Sequence, residues 1–181
     1  MGLRNVVPAV LAIASLSGCV ASDQTTRGQA DAAGTTARAE LRNSAGQVDA
    51  QATASPSGSG IRIRLEATGM PRGTYAAHVH TTGACTAPDF TSAGPHWNPT
   101  GAQHGKNNPA GMHKGDLPNL LVGTDGRGSL EFLIAGAALR GGAAPLLDAD
   151  GAAVVIHAQA DDYRTDPAGN AGARIACGVL R

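Results

Sequence analysis

The strongest constraint on the fold is a period-two alternation of apolar and polar side chains. In residues 61–68, IRIRLEAT, four apolar residues alternate with four polar ones. Successive side chains of a β-strand point to opposite faces, so this pattern predicts a strand with one core face and one solvent face. Similar short segments recur, and the chain is expected to form about eight strands, at 37–43, 47–54, 60–68, 74–80, 119–123, 128–134, 152–159 and 173–180.

Turn-forming residues separate these segments, as in SGSG at 57–60, TDG at 124–126 and DADG at 148–151. No segment has the spacing of a helix of ordinary length. Aromatic residues make up only 3% of the chain, so Val, Ile, Leu and Ala must fill the core. A closed or sandwiched antiparallel β architecture is therefore predicted.

Charge and motif content exclude several classes of function. Lys plus Arg and Asp plus Glu each number 14, and with so few aromatics there is neither a basic surface nor a stacking platform for nucleic acid. Nucleic acid is therefore not expected as a partner. GxSxG, HExxH and GxxxxGK[ST] do not occur, which leaves the serine-hydrolase, zincin and P-loop interpretations without support.

The N-terminus has the features of an export signal. Arg4 gives a positive start, the apolar stretch VVPAVLAIASL follows, and small residues lead to Cys19. The sequence LSGC at 16–19 resembles a bacterial lipobox, in which cleavage precedes a cysteine that receives a diacylglycerol; an ordinary signal peptide with a chance cysteine is the alternative. We therefore expect a signal segment at 1–18, a polar tether at 19–36 after lipidated Cys19, and one folded domain at 37–181.

The six histidines occupy three settings. His78 and His80 end a predicted strand two residues apart, so both imidazoles can reach one metal ion. His157 lies in another predicted strand. The remaining three fall in the long, Gly- and Pro-rich segment 81–118, at intervals of eight and nine residues, with Asp116 three residues after the last: His96, His104 and His113. A loop of that length in a compact domain is usually functional, and these residues predict that metal organises it.

Four stretches together resemble the bacterial copper,zinc superoxide dismutases. They are AAHVHTTGACTAPDFTSAGPHWNPTGAQHG, NPAGMHKGDLPNL, VVIHAQADD and GNAGARIACGVL, and they cover most of residues 75–181 in the family's order. The resemblance implies an eight-stranded antiparallel Greek-key β-barrel or sandwich with long metal-binding and active-site loops. It also implies copper and zinc as cofactors and superoxide as the substrate.

The resemblance divides the histidines between two metals. Copper is expected to bind His78, His80, His96 and His157. Zinc is expected to bind His96, His104, His113 and Asp116, with the shared His96 as a bridging imidazolate. The donor types agree with this division, because four imidazoles suit copper and three imidazoles with a carboxylate suit redox-inert zinc.

The same resemblance gives roles to four more residues. Asp161 is expected to bond one copper ligand and one zinc ligand, and thereby to fix their orientation. Arg174 is expected to attract and orient the anion beside copper, so Arg174 and His96 are the predicted catalytic residues. Cys85 and Cys177 are expected to form a disulfide, which persists in an exported protein.

The implied reaction converts two superoxide anions to dioxygen and hydrogen peroxide on the periplasmic face of a bacterial membrane, with the protein anchored through Cys19. The protein is expected to be a monomer or a homodimer. Two other classes are weighed against the enzyme. A non-catalytic periplasmic copper or zinc binding module on the same fold would be expected to lose a copper ligand or the arginine, and this chain keeps them all. An adhesive β-domain leaves the placement of the histidines unexplained.

Overall fold

The structure is a computed structural model that describes residues 1–3 and 36–181. The chain divides into two units, Met1–Ala30 and Asp31–Arg181, and every element below belongs to the second. Residues 4–18 of the predicted signal segment, Cys19 and nearly all of the predicted tether lie outside the described residues. Within the described part, no helix is long and apolar enough to cross a bilayer.

Nine strands and one 3-10 turn, at Thr91–Ala93, form the described part of the chain, and it contains no α-helix. The predicted all-β antiparallel barrel is confirmed, although the strand count is nine rather than eight. The strands are β1 (Ala37–Asn43), β2 (Val48–Ser57), β3 (Gly60–Thr68), β4 (Gly73–Tyr75), β5 (Ala77–His80), β6 (Leu120–Val122), β7 (Arg127–Ala135), β8 (Ala153–His157) and β9 (Arg174–Val179).

The additional strand arises because the predicted strand 74–80 is divided at Ala76. β4 pairs with β6, whereas β5 pairs with β8 on the opposite side of the sheet. The Ala76 N–H donates to the Gln159 carbonyl at 2.8 Å, and the Ala76 carbonyl accepts the His157 N–H at 2.9 Å. Ala76 is therefore a corner where the chain changes pairing partners.

The corner nearly closes the sheet on itself. All pairings between the strands are antiparallel, and the order is β4-β6-β7-β3-β2-β1-β9-β8-β5. The two outermost strands, β4 and β5, are consecutive in the chain and meet at Ala76. A sheet whose first and last strands are joined in this way is a barrel with few exposed edges.

Burial follows the alternation seen in the sequence. On β3 the apolar side chains face the core and are at most 2% exposed: Ile61, Ile63, Leu65 and Ala67. β8 differs, because all five of its residues are buried. Val154 and Ile156 face the main core, while Ala153 and Val155 pack in a second cluster with Phe90, Ala93 and Cys177. A strand covered on both faces can hold a histidine away from water.

The long segment 81–118 is fastened to the barrel at several points. The Trp97 N–H donates to the Val79 carbonyl at 2.8 Å, and the Val79 N–H donates to the Gly115 carbonyl at 2.9 Å. The Gly115 N–H in turn donates to the Trp97 carbonyl at 2.9 Å. The predicted disulfide between Cys85 and Cys177 is confirmed, with a Cα–Cα distance of 5.6 Å, and ties the segment to β9. These contacts bring the loop histidines alongside β5 and β8.

Candidate metal centre

Neighbouring strands bring three histidines together. His78 and His80 lie on β5, and His157 ends the adjacent antiparallel β8. The ring centroid of His157 is 4.9 Å from that of His78 and 5.7 Å from that of His80. His96 comes from the long segment, and its ring centroid is 3.9 Å from that of His78.

These four histidines form a buried cluster. Each offers one ligand atom, and the four atoms lie within 4.8 Å of one another. Among the residues that the structure describes, one ring nitrogen of every member finds no hydrogen-bond partner: His78 Nδ1, His80 Nε2, His96 Nε2 and His157 Nε2. A buried polar atom without a partner is costly, and four of them on clustered rings fit a metal ion that would satisfy all four.

The opposite nitrogens of the same rings are held by the protein. His80 Nδ1 lies 2.8 Å from the Gly94 carbonyl, and His157 Nδ1 lies 3.3 Å from the Gly172 carbonyl. A histidine whose second nitrogen donates to a carbonyl or a carboxylate is fixed in tautomer and ring orientation, which is the usual arrangement of a metal ligand.

Asp116 is the centre of a second group. Its Oδ1 lies 3.0 Å from His96 Nδ1, 3.0 Å from His104 Nδ1 and 3.2 Å from His113 Nδ1. Its Oδ2 accepts the backbone N–H groups of Gly105 at 2.9 Å and His113 at 3.0 Å, so the carboxylate is held in place. Three imidazoles and one carboxylate thus meet at one point, a donor set that suits zinc.

His78 also approaches this second group. A set of ligand atoms within 4.8 Å of one another contains His78 with His96, His104 and Asp116, and does not include His113. His113 lies beside that set, with its Nδ1 3.4 Å from His96 Nδ1. His78 Nε2, however, is 2.9 Å from Asp161 Oδ2, which leaves Nδ1 as the free nitrogen of that ring.

Asp161 joins the two groups. Its Oδ2 lies 2.9 Å from His78 Nε2 and its Oδ1 lies 2.9 Å from His104 Nε2. Its side chain is fully buried, and the Tyr163 N–H donates to Oδ1 at 2.7 Å. One carboxylate therefore orients a histidine of each group.

Burial controls protonation in the metal-free cluster. It lowers the pKa of His80 to about 2, of His157 to about 3 and of His96 to about 4, in the last case against the opposing effect of Asp116. These imidazoles are neutral at neutral pH, as metal ligation requires. Burial also acts on His104, but hydrogen bonds to Asp116 and Asp161 outweigh it and raise its pKa to about 9.

The two carboxylates show the complementary effect. Burial would raise the pKa of Asp116, but hydrogen bonds to His104, His113 and His96 prevail and hold it well below its usual range. Hydrogen bonds to His104 and His78 likewise keep the pKa of Asp161 low against burial. Both side chains are anionic at neutral pH and available to a cation.

Arg174 begins β9 and is half-buried at the edge of the four-histidine cluster. Its Nη1 donates to the Phe90 carbonyl at 2.7 Å, and its Nη2 donates to the Gly94 carbonyl at 2.8 Å. The Gly94 carbonyl is also the partner of His80 Nδ1, so the guanidinium is tied to the same backbone atom as a histidine of the cluster. Arg174 lines a cavity of about 460 Å³ with Pro88, Asp89, Thr91, Gly172 and Ala173.

Sequence reasoning did not identify three positions at this site. The carbonyls of Gly94 and Gly172 hold histidines and carry no side-chain signal. Gly94 has φ 74°, and a Cβ there would lie 2.7 Å from Thr81 Oγ1, so the position requires glycine. Asp166 accepts the His104 backbone N–H on Oδ1 at 2.6 Å, although its Asp-Pro sequence indicates only a turn.

Comparison with known proteins gives a consistent result. The sequence model of the copper/zinc superoxide dismutase family matches residues 44–180. The chain is 44% identical over 147 residues to a Cu-Zn superoxide dismutase of Aquifex aeolicus. That alignment covers 80% of this chain and 86% of the Aquifex protein. It is 38% identical over 189 aligned positions to the Cu-Zn superoxide dismutase of Deinococcus radiodurans, covering 98% and 96%.

Solved structures agree with the sequence relatives. The crystal structure of a superoxide dismutase-like protein from Bacillus subtilis superposes with a TM-score of 0.75 at 41% identity. The match covers 80% of this chain and 97% of that one.

Proposed function

Since the chain belongs to the copper/zinc superoxide dismutase family, we propose that its two side-chain groups are the metal sites of that enzyme. The copper site is His78, His80, His96 and His157, and the zinc site is His96, His104, His113 and Asp116. The observation that carries this assignment is the set of four unpartnered nitrogens on four clustered, buried imidazoles. The reaction is the conversion of two superoxide anions and two protons to dioxygen and hydrogen peroxide.

The zinc assignment gives His113 precedence over His78. The Nε2 atom of His78 is engaged with Asp161, and its free Nδ1 serves the four-histidine cluster. The Nδ1 of His113 is directed at Asp116 Oδ1, together with the Nδ1 atoms of His96 and His104. His96 would then serve both metals, since its unpartnered Nε2 belongs to the four-histidine cluster and its Nδ1 faces Asp116.

The metals and the protein have separate tasks. Copper held by the four histidines would supply one-electron chemistry, and zinc held beside Asp116 would supply fixed positive charge. Arg174 attracts the superoxide anion and orients it, because its half-buried guanidinium is held by two backbone carbonyls. His96 Nε2 holds a proton in one half of the cycle and releases it to the reduced product in the other.

Substitution of Arg174 by isoleucine tests the enzyme against a metal-binding module. Arg174 is not a metal ligand in this scheme, so Arg174→Ile should keep the copper and zinc stoichiometry of the wild type. The dismutation rate should fall about tenfold, because a positioned positive charge is lost from the cavity that Arg174 lines. The loss should shrink as ionic strength rises, since salt screens the attraction in the wild type.

The exposed Arg72 provides a control, because Arg72→Ile removes the same charge before β4, outside the cavity that Arg174 lines. This variant should retain the wild-type rate. A metal-loaded Arg174→Ile protein that dismutates superoxide as fast as wild type at all salt concentrations contradicts the anion site. A wild-type protein that binds both metals without dismutating superoxide establishes the binding module instead.

We further propose that the enzyme is an exported lipoprotein, held on the periplasmic face of a bacterial membrane through Cys19. The support is the positive start at Arg4, the apolar stretch and the LSGC sequence. A polar tether up to residue 36 would hold the barrel off the membrane surface.

A further inference from the structure

The two histidines that the proposed scheme assigns to zinc alone, His104 and His113, each have a carboxylate on the Nε2 side of the ring. For His104 that carboxylate is Asp161, at 2.9 Å. For His113 it is Asp166, whose Oδ1 lies 4.0 Å from Nε2. The same Oδ1 atom of Asp166 accepts the backbone N–H of His104 at 2.6 Å. One carboxylate from the segment before β9 therefore reaches two residues of the proposed zinc site.

We propose that Asp166 is a positioning residue of the zinc site, which fixes the ring of His113 through Nε2 and the backbone at His104. The proposal rests on the zinc-ligand set proposed above. Metal-ligating histidines almost always donate the second ring N–H to a carboxylate, a carbonyl or water. Asp161 fills this position for His104, and Asp166 fills it for His113.

At 4.0 Å, His113 Nε2 and Asp166 Oδ1 lie beyond hydrogen-bond distance, and the tautomer of the metal-free ring accounts for the missing bond. In the metal-free arrangement, Nδ1 of His113 faces Asp116 Oδ1 at 3.2 Å, so the ring proton is required on that side. A metal ion bound at Nδ1 would take the place of this proton, and the neutral ring would then carry its proton on Nε2. That N–H would point to the side on which Asp166 lies, and a small closure of the 4.0 Å distance would give a charge-assisted hydrogen bond.

The segment that carries Asp166 is itself held in place. The Asp162 carboxylate accepts the N–H groups of Arg164 and Thr165, both at 2.8 Å, and the Thr165 hydroxyl at 2.6 Å. The Tyr163 carbonyl accepts the Asn107 N–H at 3.0 Å, and the Tyr163 hydroxyl accepts the Asn119 N–H at 2.8 Å. Asp166 therefore lies on an ordered segment that packs against the loop carrying His104 and His113.

Exposure shows how Asp166 differs from Asp161. The side chain of Asp161 is fully buried, whereas that of Asp166 is 49% exposed beside a His113 side chain that is 8% exposed. His113 also lines a groove of about 420 Å³ with His96, Trp97 and Pro167, the residue after Asp166. Asp166 thus lies where the zinc site approaches solvent, and it supplies the His113 partner that water would otherwise provide.

The test compares Asp166→Asn with Asp166→Ala. The asparagine keeps an acceptor oxygen for the His104 N–H and removes the negative charge that faces His113, whereas alanine removes both. We expect Asp166→Asn to weaken zinc binding about tenfold, within the range for loss of a ligand's outer partner, and Asp166→Ala to weaken it more. Copper affinity should stay within about twofold of wild type, because among the described residues the polar contacts of the Asp166 carboxylate are with His104 and His113, which bind zinc alone in the proposed set.

Two measurements separate positioning from mere folding. Zinc affinity is measured by competition with a chromophoric chelator, and the visible spectrum is recorded with Co(II) in place of zinc. The Co(II) bands of Asp166→Asn should shift, because the geometry and donor strength of His113 change. Asp148→Asn is the matched control: Asp148 lines the same groove, and its carboxylate accepts the Asp150 N–H at 3.0 Å.

The outcomes discriminate. Wild-type affinity and Co(II) spectrum in Asp166→Asn, with zinc binding weakened only in Asp166→Ala, reduce Asp166 to a backbone anchor and overturn the proposal. Equal losses in Asp166→Asn and Asp148→Asn also overturn it, since general charge would then be the cause. A wild-type protein that binds no zinc refutes the zinc-ligand set itself, whereas a zinc-binding wild type with unaffected variants refutes only the role of Asp166.

Discussion

At the scale of single residues, burial keeps the imidazoles of the proposed copper site neutral in the metal-free protein. Burial lowers the pKa of His78 despite its bond to Asp161, and of His80, His96 and His157 to values of about 2, 4 and 3. An unfolded histidine titrates near 6.5. The difference means that protons compete weakly for the folded site and strongly for the unfolded chain.

This difference predicts how the stability of the metal-free protein depends on pH. Below about pH 6.5 these four histidines bind protons in the unfolded chain but stay neutral in the folded protein. The free energy of unfolding should therefore fall as pH falls toward about 4. The slope approaches at most about 1.4 kcal/mol per pH unit for each histidine. Urea denaturation at intervals from pH 4.5 to 9 measures it.

Other groups set the limits of that window. His104, with its pKa raised to about 9, contributes stability that is complete below pH 6.5 and is lost as pH rises through 9. Asp116 and Asp161, with depressed pKa values, lose their contribution only below about pH 4. Maximal stability is therefore expected near pH 6.5 to 7. A flat profile between pH 6.5 and 4.5 contradicts the buried neutral histidines.

At the scale of elements, the sequence predicted alternation better than connectivity. The strand at Ile61 and its neighbours is evident from local pattern, because one face meets the core and the other meets water. The break at Ala76 is not, since it depends on β4 pairing with β6 and β5 with β8. The predicted ligand sets came from the resemblance to the family motif. The carbonyls of Gly94 and Gly172, which hold the rings of His80 and His157, could not be predicted, because their positions depend on how distant loops pack.

At Gly115 the loop of the proposed zinc site contacts the strand of the proposed copper site. Gly115 belongs to the loop that carries His113 and Asp116, and its carbonyl accepts the Val79 N–H of β5, the strand that carries His78 and His80. A Cβ at Gly115 would be 2.3 Å from the Val79 carbonyl oxygen. Gly115→Ala should therefore push the loop away from β5, destabilise the protein by about 1–3 kcal/mol and weaken both copper and zinc binding.

Gly128→Ala is the matched comparison. A Cβ there would be 2.3 Å from the Leu121 carbonyl oxygen, where β6 meets β7 and no proposed ligand lies. It should cause a similar loss of stability and leave both metal affinities near wild type, as measured by denaturation and metal competition. Metal binding that is unaffected in Gly115→Ala shows that the β5 contact does not position the ligands.

At the scale of the whole molecule, the proposed anchor makes the enzyme a membrane-attached barrel. Cys19→Ser should abolish incorporation of radiolabelled fatty acid and move the protein from the membrane fraction to the soluble fraction. A Cys85→Ser chain keeps the proposed acylation site and should keep the label, although it loses the disulfide. Equal labelling of the wild-type and Cys19→Ser chains contradicts acylation at this position.

The corner at Ala76 is where the first and last strands of the barrel meet, and the proposed copper site lies beside it. Two backbone hydrogen bonds hold this corner to the end of β8, from the Ala76 N–H to the Gln159 carbonyl and from the His157 N–H to the Ala76 carbonyl. A local opening that breaks these two hydrogen bonds also separates His157 from His78 and His80. A metal ion bound to these histidines would therefore keep the corner closed. The rate at which the His157 amide exchanges with deuterium would then report the fraction of the protein that carries metal.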